Sequence, residues 1–209
     1  MPDNSKMIVI IDYGMGNLRS VFNKFRRMGY TSKISSNPDV IMKAEKIILP
    51  GVGHFAKGMG NLKDRGLIDV LNDKVLHEKT PIFGICLGMQ LFSEYSEEGD
   101  CKGLGWINAK TVRFRINDKT KYKIPHIGWN TVNIVNSIGV DDFLSVDDFF
   151  YFVHSYHVQC NDIADVWMTS RYECEFTSAI KKDNIFGTQF HPEKSHDAGF
   201  MLLKKFIEL

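Results

Sequence analysis

The segment Gly84-Ile-Cys86-Leu-Gly88 sets a cysteine between two glycines, directly after the apolar run Pro81-Ile-Phe. A buried strand that runs into a reactive side chain, with a helix opening straight after it, is the G-x-nucleophile-x-G elbow, here with cysteine in place of serine. The flanking glycines are expected to permit a tight, strained turn that pushes Cys86 clear of the sheet. The positive end of an amphipathic helix over about residues 87–95, and any nearby imidazole, would favour the thiolate. The backbone N–H of Leu87 would face the oxyanion of a tetrahedral intermediate. The alternative is a buried structural cysteine at a strand end, and the strand–elbow–helix frame argues against it.

A thiol nucleophile needs a base. Of the seven histidines, His191 stands out in His191-Pro-Glu193, directly after the apolar run Ile185-Phe-Gly-Thr-Gln-Phe190. On an extended segment residues i and i+2 share a face, so Glu193 can orient His191 toward Cys86. A surface turn is the alternative for this tripeptide. His154 and His157, which follow another strand, are rival bases, and His77 reads as a cation at a helix end. Pro50-Gly-Val-Gly53, after a third apolar run, would let backbone amides approach a ligand and complete an oxyanion hole. A plain glycine-rich loop is the alternative, and Gly14 and Gly16 of the first loop raise phosphate binding. Neither loop has the full pattern of a nucleotide site. No histidine or cysteine cluster has zinc spacing, so neither metal nor cofactor is expected.

These residues must be positioned by a frame, and the first half of the chain reads as alternating strands and helices. Residues 7–11, 46–51 and 81–85 are short, mainly apolar runs suited to strands covered on both faces, and a further strand is expected near residues 30–34. Asn17 is placed to cap a helix ending at Gly29, and Asn37-Pro38 to open a short one. One or two helices fit between residues 58 and 77. Strands separated by helices imply right-handed crossovers and a doubly wound parallel sheet. From Trp106 onward the runs 111–115, 131–135 and 149–153 are rich in β-branched and aromatic residues, implying strands that are antiparallel in part. The apolar repeat Met201, Leu202, Phe206 predicts a final helix over 198–209 packed on the sheet. The whole reads as one α/β domain over residues 1–209, with residues 1–6 a flexible extension.

Composition narrows the setting. The 209 residues are 44% hydrophobic and 24% charged, with a formal net charge of +1. That balance, without basic runs interleaved with aromatics, excludes a polyanion-binding surface and argues against nucleic acid. The short apolar run after the polar amino terminus is neither a secretory signal nor a membrane span. The four cysteines form no C-x-x-C pair, and reduced thiols in the cytoplasm are expected.

Taken together, the motifs resemble the class I (triad) glutamine amidotransferases. The matching segments are Ile11-Asp-Tyr-Gly-Met-Gly-Asn17, Pro50-Gly-Val-Gly53, Gly84-Ile-Cys-Leu-Gly-Met-Gln90, Pro125-His-Ile-Gly-Trp-Asn130, Tyr151-Phe-Val-His-Ser-Tyr156 and Gln189-Phe-His-Pro-Glu-Lys-Ser195. They cover nearly the whole chain. The first, fourth and last are narrower than the class and are similar to the glutaminase subunits that serve histidine biosynthesis. The resemblance implies a flavodoxin-like fold, a Cys86–His191–Glu193 triad, and glutamine held by Gln90, Glu98 and the backbone at Ser155 and Tyr156. It implies an oxyanion site at Val52, Gly53 and Leu87. It also implies a heterodimer with a (β/α)8 cyclase subunit that receives the ammonia and makes imidazole glycerol phosphate and aminoimidazole carboxamide ribotide, with Asn17, Trp129 and Tyr156 at interface positions. Departures are His54, where a small residue is expected, and the acidic-aromatic run 141–150, which has no assigned pattern. Paralogues that feed amidino-sugar synthesis keep every glutaminase motif. A stand-alone γ-glutamyl hydrolase would not need the narrower ones, and a non-catalytic scaffold would not need the intact triad.

Overall fold

In β1 (Ile8–Ile11) all four side chains are buried, Ile8 and Ile10 in one core and Val9 and Ile11 in the other. Successive strand residues face opposite sides, so an all-apolar run requires cover on both faces. The computed structural model describes residues 7–139, 142–145 and 147–209. Residues 1–6, read as a flexible extension, lie outside the described residues, as do Asp141 and Val146 of the acidic-aromatic run.

After β1 come α1 (Leu18–Arg27), β2 (Ser32–Ser35), α2 (Pro38–Ile41) and β3 (Lys46–Gly51). Asn17 and Asn37 cap the two helices through their side chains, as their types predict. α3 (Phe55–Asp64), α4 (Leu67–Asn72) and a π turn (Asp73–His77) lead to β4 (Ile82–Cys86) and α5 (Leu87–Gln90). The second half holds β5 (Tyr95–Ser96), β6 (Cys101–Lys102), β7 (Ala109–Arg113), β8 (His126–Asn130), β9 (Asn133–Ile134), β10 (Phe150–His154), β11 (Tyr156–Cys160), β12 (Val166–Tyr172), β13 (Cys174–Lys182), β14 (Ile185–Thr188) and α6 (His196–Glu208).

Among the described residues the main sheet runs β2-β1-β3-β4-β14-β13-β11-β7-β5-β6, with β12 beside β13 and β9 beside β12. The strands from β2 to β14 are parallel; β13 turns the sheet antiparallel. β8 and β10 form a separate antiparallel ribbon. The order 2-1-3-4 is flavodoxin-like, and ligands in such sheets bind beyond the carboxyl ends of the strands. β14 closes the parallel part of the sheet. After the whole antiparallel excursion the chain returns to lie parallel against β4, with Thr188 opposite Ile85. The ends of β3, β4 and β14 are therefore adjacent, Gly51 being paired with Cys86.

Several expected elements differ in extent. The helix after Cys86 is a single turn, Leu87–Gln90, buried on every side rather than amphipathic to residue 95. The chain must leave it to form β5, and Ser93 anchors that departure through bonds to Gln90 O and Tyr95 O. The strand expected over 131–135 is only Asn133–Ile134. α3 begins at Phe55, earlier than residue 58, and α6 begins at His196.

Candidate active site

Cys86 has φ 55° and ψ −110°, a left-handed backbone that costs a non-glycine residue on the order of 1–3 kcal/mol. The strain sits on the cysteine itself. Its glycine neighbours serve a different purpose from the one expected, because neither has a positive φ. A Cβ on Gly88 would overlap the Leu49 carbonyl oxygen, and one on Gly84 would lie 2.7 Å from Met89 N and the Phe92 ring. They are glycines because the elbow presses directly on β3 and on the turn that follows.

His191 and Glu193 are paired, with Nδ1 2.9 Å from Oε1 and both side chains almost fully buried. The contact does not form across an extended strand. Pro192–Lys194 is a 3₁₀ turn, which folds the carboxylate back onto the ring. The Ser195 hydroxyl donates to His191 O and accepts from Tyr151 N–H, and His191 N–H donates to Tyr151 O, so β10 holds this turn in place. Burial alone would lower His191, but the Cys86 sulfur as thiolate and the Glu193 carboxylate outweigh it and raise the imidazole to about 10. Its Nε2 is buried with no hydrogen bond to nitrogen or oxygen, and the Cys86 sulfur is the neighbour that raises the ring most.

A cavity of about 220 Å³ opens beside Cys86. It is lined by Val52, Gly53, Leu87, Gln90, Glu98 and Ser155, with Pro125, Val153, His154 and Tyr156 completing the wall. It is smaller than the ~300–1,000 Å³ of drug-sized sites and suits an amino acid. All residues expected to bind glutamine or its oxyanion meet here. Glu98 also serves the fold, since one of its oxygens accepts from Phe55 N–H at 2.7 Å and caps α3, where the His54 side chain makes no capping bond. The His54 ring instead stands over Gly99, next to Glu98.

Asn17 and Trp129 lie off this wall. Asn17 caps α1, and Trp129 is 45% exposed on β8, stacked on His196. His157 packs on Phe114 and Phe176 and does not reach the cavity. His154 lines the cavity without a carboxylate partner. Its Nδ1 donates to Tyr156 O at 2.7 Å, so its Nε2 accepts from His126 Nδ1 at 3.0 Å. Burial holds both rings neutral, His126 at about 4 and His154 well below its ordinary value.

Three residues escaped the sequence reading. Gln189 is fully buried and reaches both Gln90 and Cys86; a glutamine ending an apolar strand was the available signal. His126 supports His154. Tyr13 is buried with no partner for its hydroxyl, and burial, aided by Cys86, pushes its phenol up. The first loop proves to be a bed for the Pro50–Gly53 loop. Tyr13 Oη fills the space a Cβ on Gly51 would occupy, Gly16 (φ 86°) lies against Pro50 and Gly51, and Met15 lies under Gly53.

The model of the class I glutamine amidotransferase family matches residues 9–209. The chain belongs to the class I glutamine amidotransferases. Among relatives of this amidotransferase, the imidazole glycerol phosphate synthase subunit HisH 2 of Methanococcus maripaludis is 55% identical, covering 97% of this chain and 99% of the relative. HisH 2 of Pseudomonas aeruginosa is 46% identical, covering 97% and 100%. A solved glutamine amidotransferase shares the fold at a TM-score of 0.71 and 16% identity, covering 96% and 97%. Among the described residues no helix is long and apolar enough to cross a membrane.

Proposed function

We propose that this chain is the glutaminase subunit of an imidazole glycerol phosphate synthase in histidine biosynthesis. The strained Cys86 in the wall of an amino-acid-sized cavity, electrostatically coupled to the buried His191–Glu193 pair behind it, carries this reading. Two relatives named as subunits of that synthase, aligned end to end with this chain, supply the pathway.

Glutamine enters the cavity with its α-ammonium and α-carboxylate toward Gln90, Glu98 and the Ser155–Tyr156 backbone. The Cys86 proton passes to His191, held in orientation by Glu193, and the sulfur attacks the side-chain amide carbon. The Leu87 N–H and the backbone at Val52 and Gly53 stabilise the developing oxyanion. The tetrahedral intermediate collapses as the C–N bond breaks, His191 returns the proton to nitrogen, and ammonia leaves a γ-glutamyl thioester. Water, deprotonated by His191, attacks that thioester; the C–S bond breaks and glutamate is released. Free ammonia in neutral water is quickly protonated and no longer nucleophilic, so it must pass directly into a partner. That partner is a cyclase subunit of (β/α)8 fold, forming a heterodimer with this chain, in the cytoplasm.

Glutamate formation from glutamine is measured with the isolated chain, then with the cyclase subunit of the same organism and its nucleotide ligand. Strong activation is expected. No activation by an active cyclase would move the assignment to amidino-sugar synthesis, and full activity without a partner would make this chain a stand-alone hydrolase.

A further inference from the structure

A chain of hydrogen bonds ends on the Cys86 sulfur, and its polarity is set at the other end. The Tyr156 carbonyl can only accept, so the group 3.0 Å from it must be the Gln90 amide nitrogen. The other hydrogen on that nitrogen goes to Gln189 at 3.0 Å, which must therefore present its oxygen. Gln189 is left with its own amide nitrogen toward Cys86, 3.7 Å from Sγ. Reversing either amide would set oxygen against oxygen or leave two N–H groups facing each other. A single backbone carbonyl thus orders both side chains. It is itself held by a second donor, His154.

We propose that Gln189 is a further catalytic residue of the glutaminase reaction, donating an N–H hydrogen bond to the Cys86 sulfur. The inference rests on Cys86 being the nucleophile. A donor on the sulfur favours the thiolate over the thiol, and full burial strengthens the bond. It acts twice: when the thiol proton moves to His191 before attack, and when the thiolate departs as the thioester is hydrolysed. No proton leaves Gln189 in either step. Being neutral, it does not compete with the imidazole for the thiol proton. The chain also ties a wall of the substrate cavity to the nucleophile through Gln90.

Gln189→Leu removes the donor, and Gln189→Met keeps a neutral side chain of similar length without an N–H. Alkylation of Cys86 by iodoacetamide is followed by peptide mass spectrometry across the acid to neutral range on the full-length chain. Turnover is measured with the partner subunit present. Both variants are expected to slow alkylation at neutral pH roughly ten- to a hundredfold, the effect of losing a hydrogen bond to a charged group. The pH midpoint of alkylation should move upward, and kcat should fall while KM for glutamine changes little. Should the leucine variant fail to fold, the methionine variant carries the test. An unchanged alkylation profile, or a higher KM with kcat unchanged, would overturn the proposal and leave Gln189 as a brace for Gln90. Cys86→Ala that still hydrolyses glutamine would instead overturn the nucleophile assignment beneath it.

Discussion

His191 is pulled in opposite directions, down by burial and up by the Cys86 thiolate and the Glu193 carboxylate, and the upward influences win. Its raised value near 10 means that the charged imidazole contributes stability fully present below about pH 6.5 and lost as the pH rises through about 10. Cys86 is the largest of the upward causes, so Cys86→Ala should let His191 titrate at distinctly lower pH, read from its imidazole proton resonance in an NMR titration. An unchanged titration would mean that thiol and imidazole are not coupled. Glu193→Gln should lower the same midpoint and reduce kcat by about 10²-fold or more, in line with general acid–base contributions. The elbow at Cys86 and the His191–Glu193 contact were legible from residue type, although a 3₁₀ turn and not an extended segment brings the two side chains together. Gln189 and His126 were not, because a buried polar side chain declares its role only through its partners, and these come from remote strands.

At the level of elements, the elbow depends on close approach more than on flexibility. Gly88→Ala forces a methyl into the Leu49 carbonyl of β3, an overpacking expected to cost about 1–3 kcal/mol. For a chain of this size that lowers Tm by ~2–12 °C, measurable by calorimetry. The β8–β10 ribbon should be acid-labile. The His126 value of about 4 lies below the ordinary one, so its contribution is present above about pH 6.5 and is lost as the pH falls through about 4. His126→Phe removes that dependence, and the slope of stability against pH should flatten over this range. The strands β1, β3 and β4 were readable because all-apolar runs permit little else. The length of the helix after Cys86 was not, since apolar residues through Phe92 fit a helix and a buried turn equally well.

The whole molecule places its chemistry by bringing β14 back beside β4, and no local pattern announces that return. The antiparallel excursion also builds the β8–β10 ribbon, whose inner residues His126, Phe150, Phe152 and His154 are buried. On its outer face Ile127 and Trp129 are 59% and 45% exposed, opposite Val153 and Tyr151. Val153 lines the cavity, so this apolar face is continuous with the rim of the site. A surface of this kind, carrying a large exposed aromatic, suits a protein partner. If the cyclase docks here, Trp129→Ala should weaken the complex by about 30-fold, as for a central aromatic anchor worth about 2 kcal/mol. Basal glutamine hydrolysis by the free chain should stay within a few-fold of the parent, because Cys86 ends β4 and the His191–Glu193 turn follows β14 and is tied to β10. Titration calorimetry together with glutamate assays separates the two effects. Wild-type affinity in this variant would move the docking face elsewhere, and an equal loss of basal activity would tie Trp129 to the catalytic site through its stacking on His196.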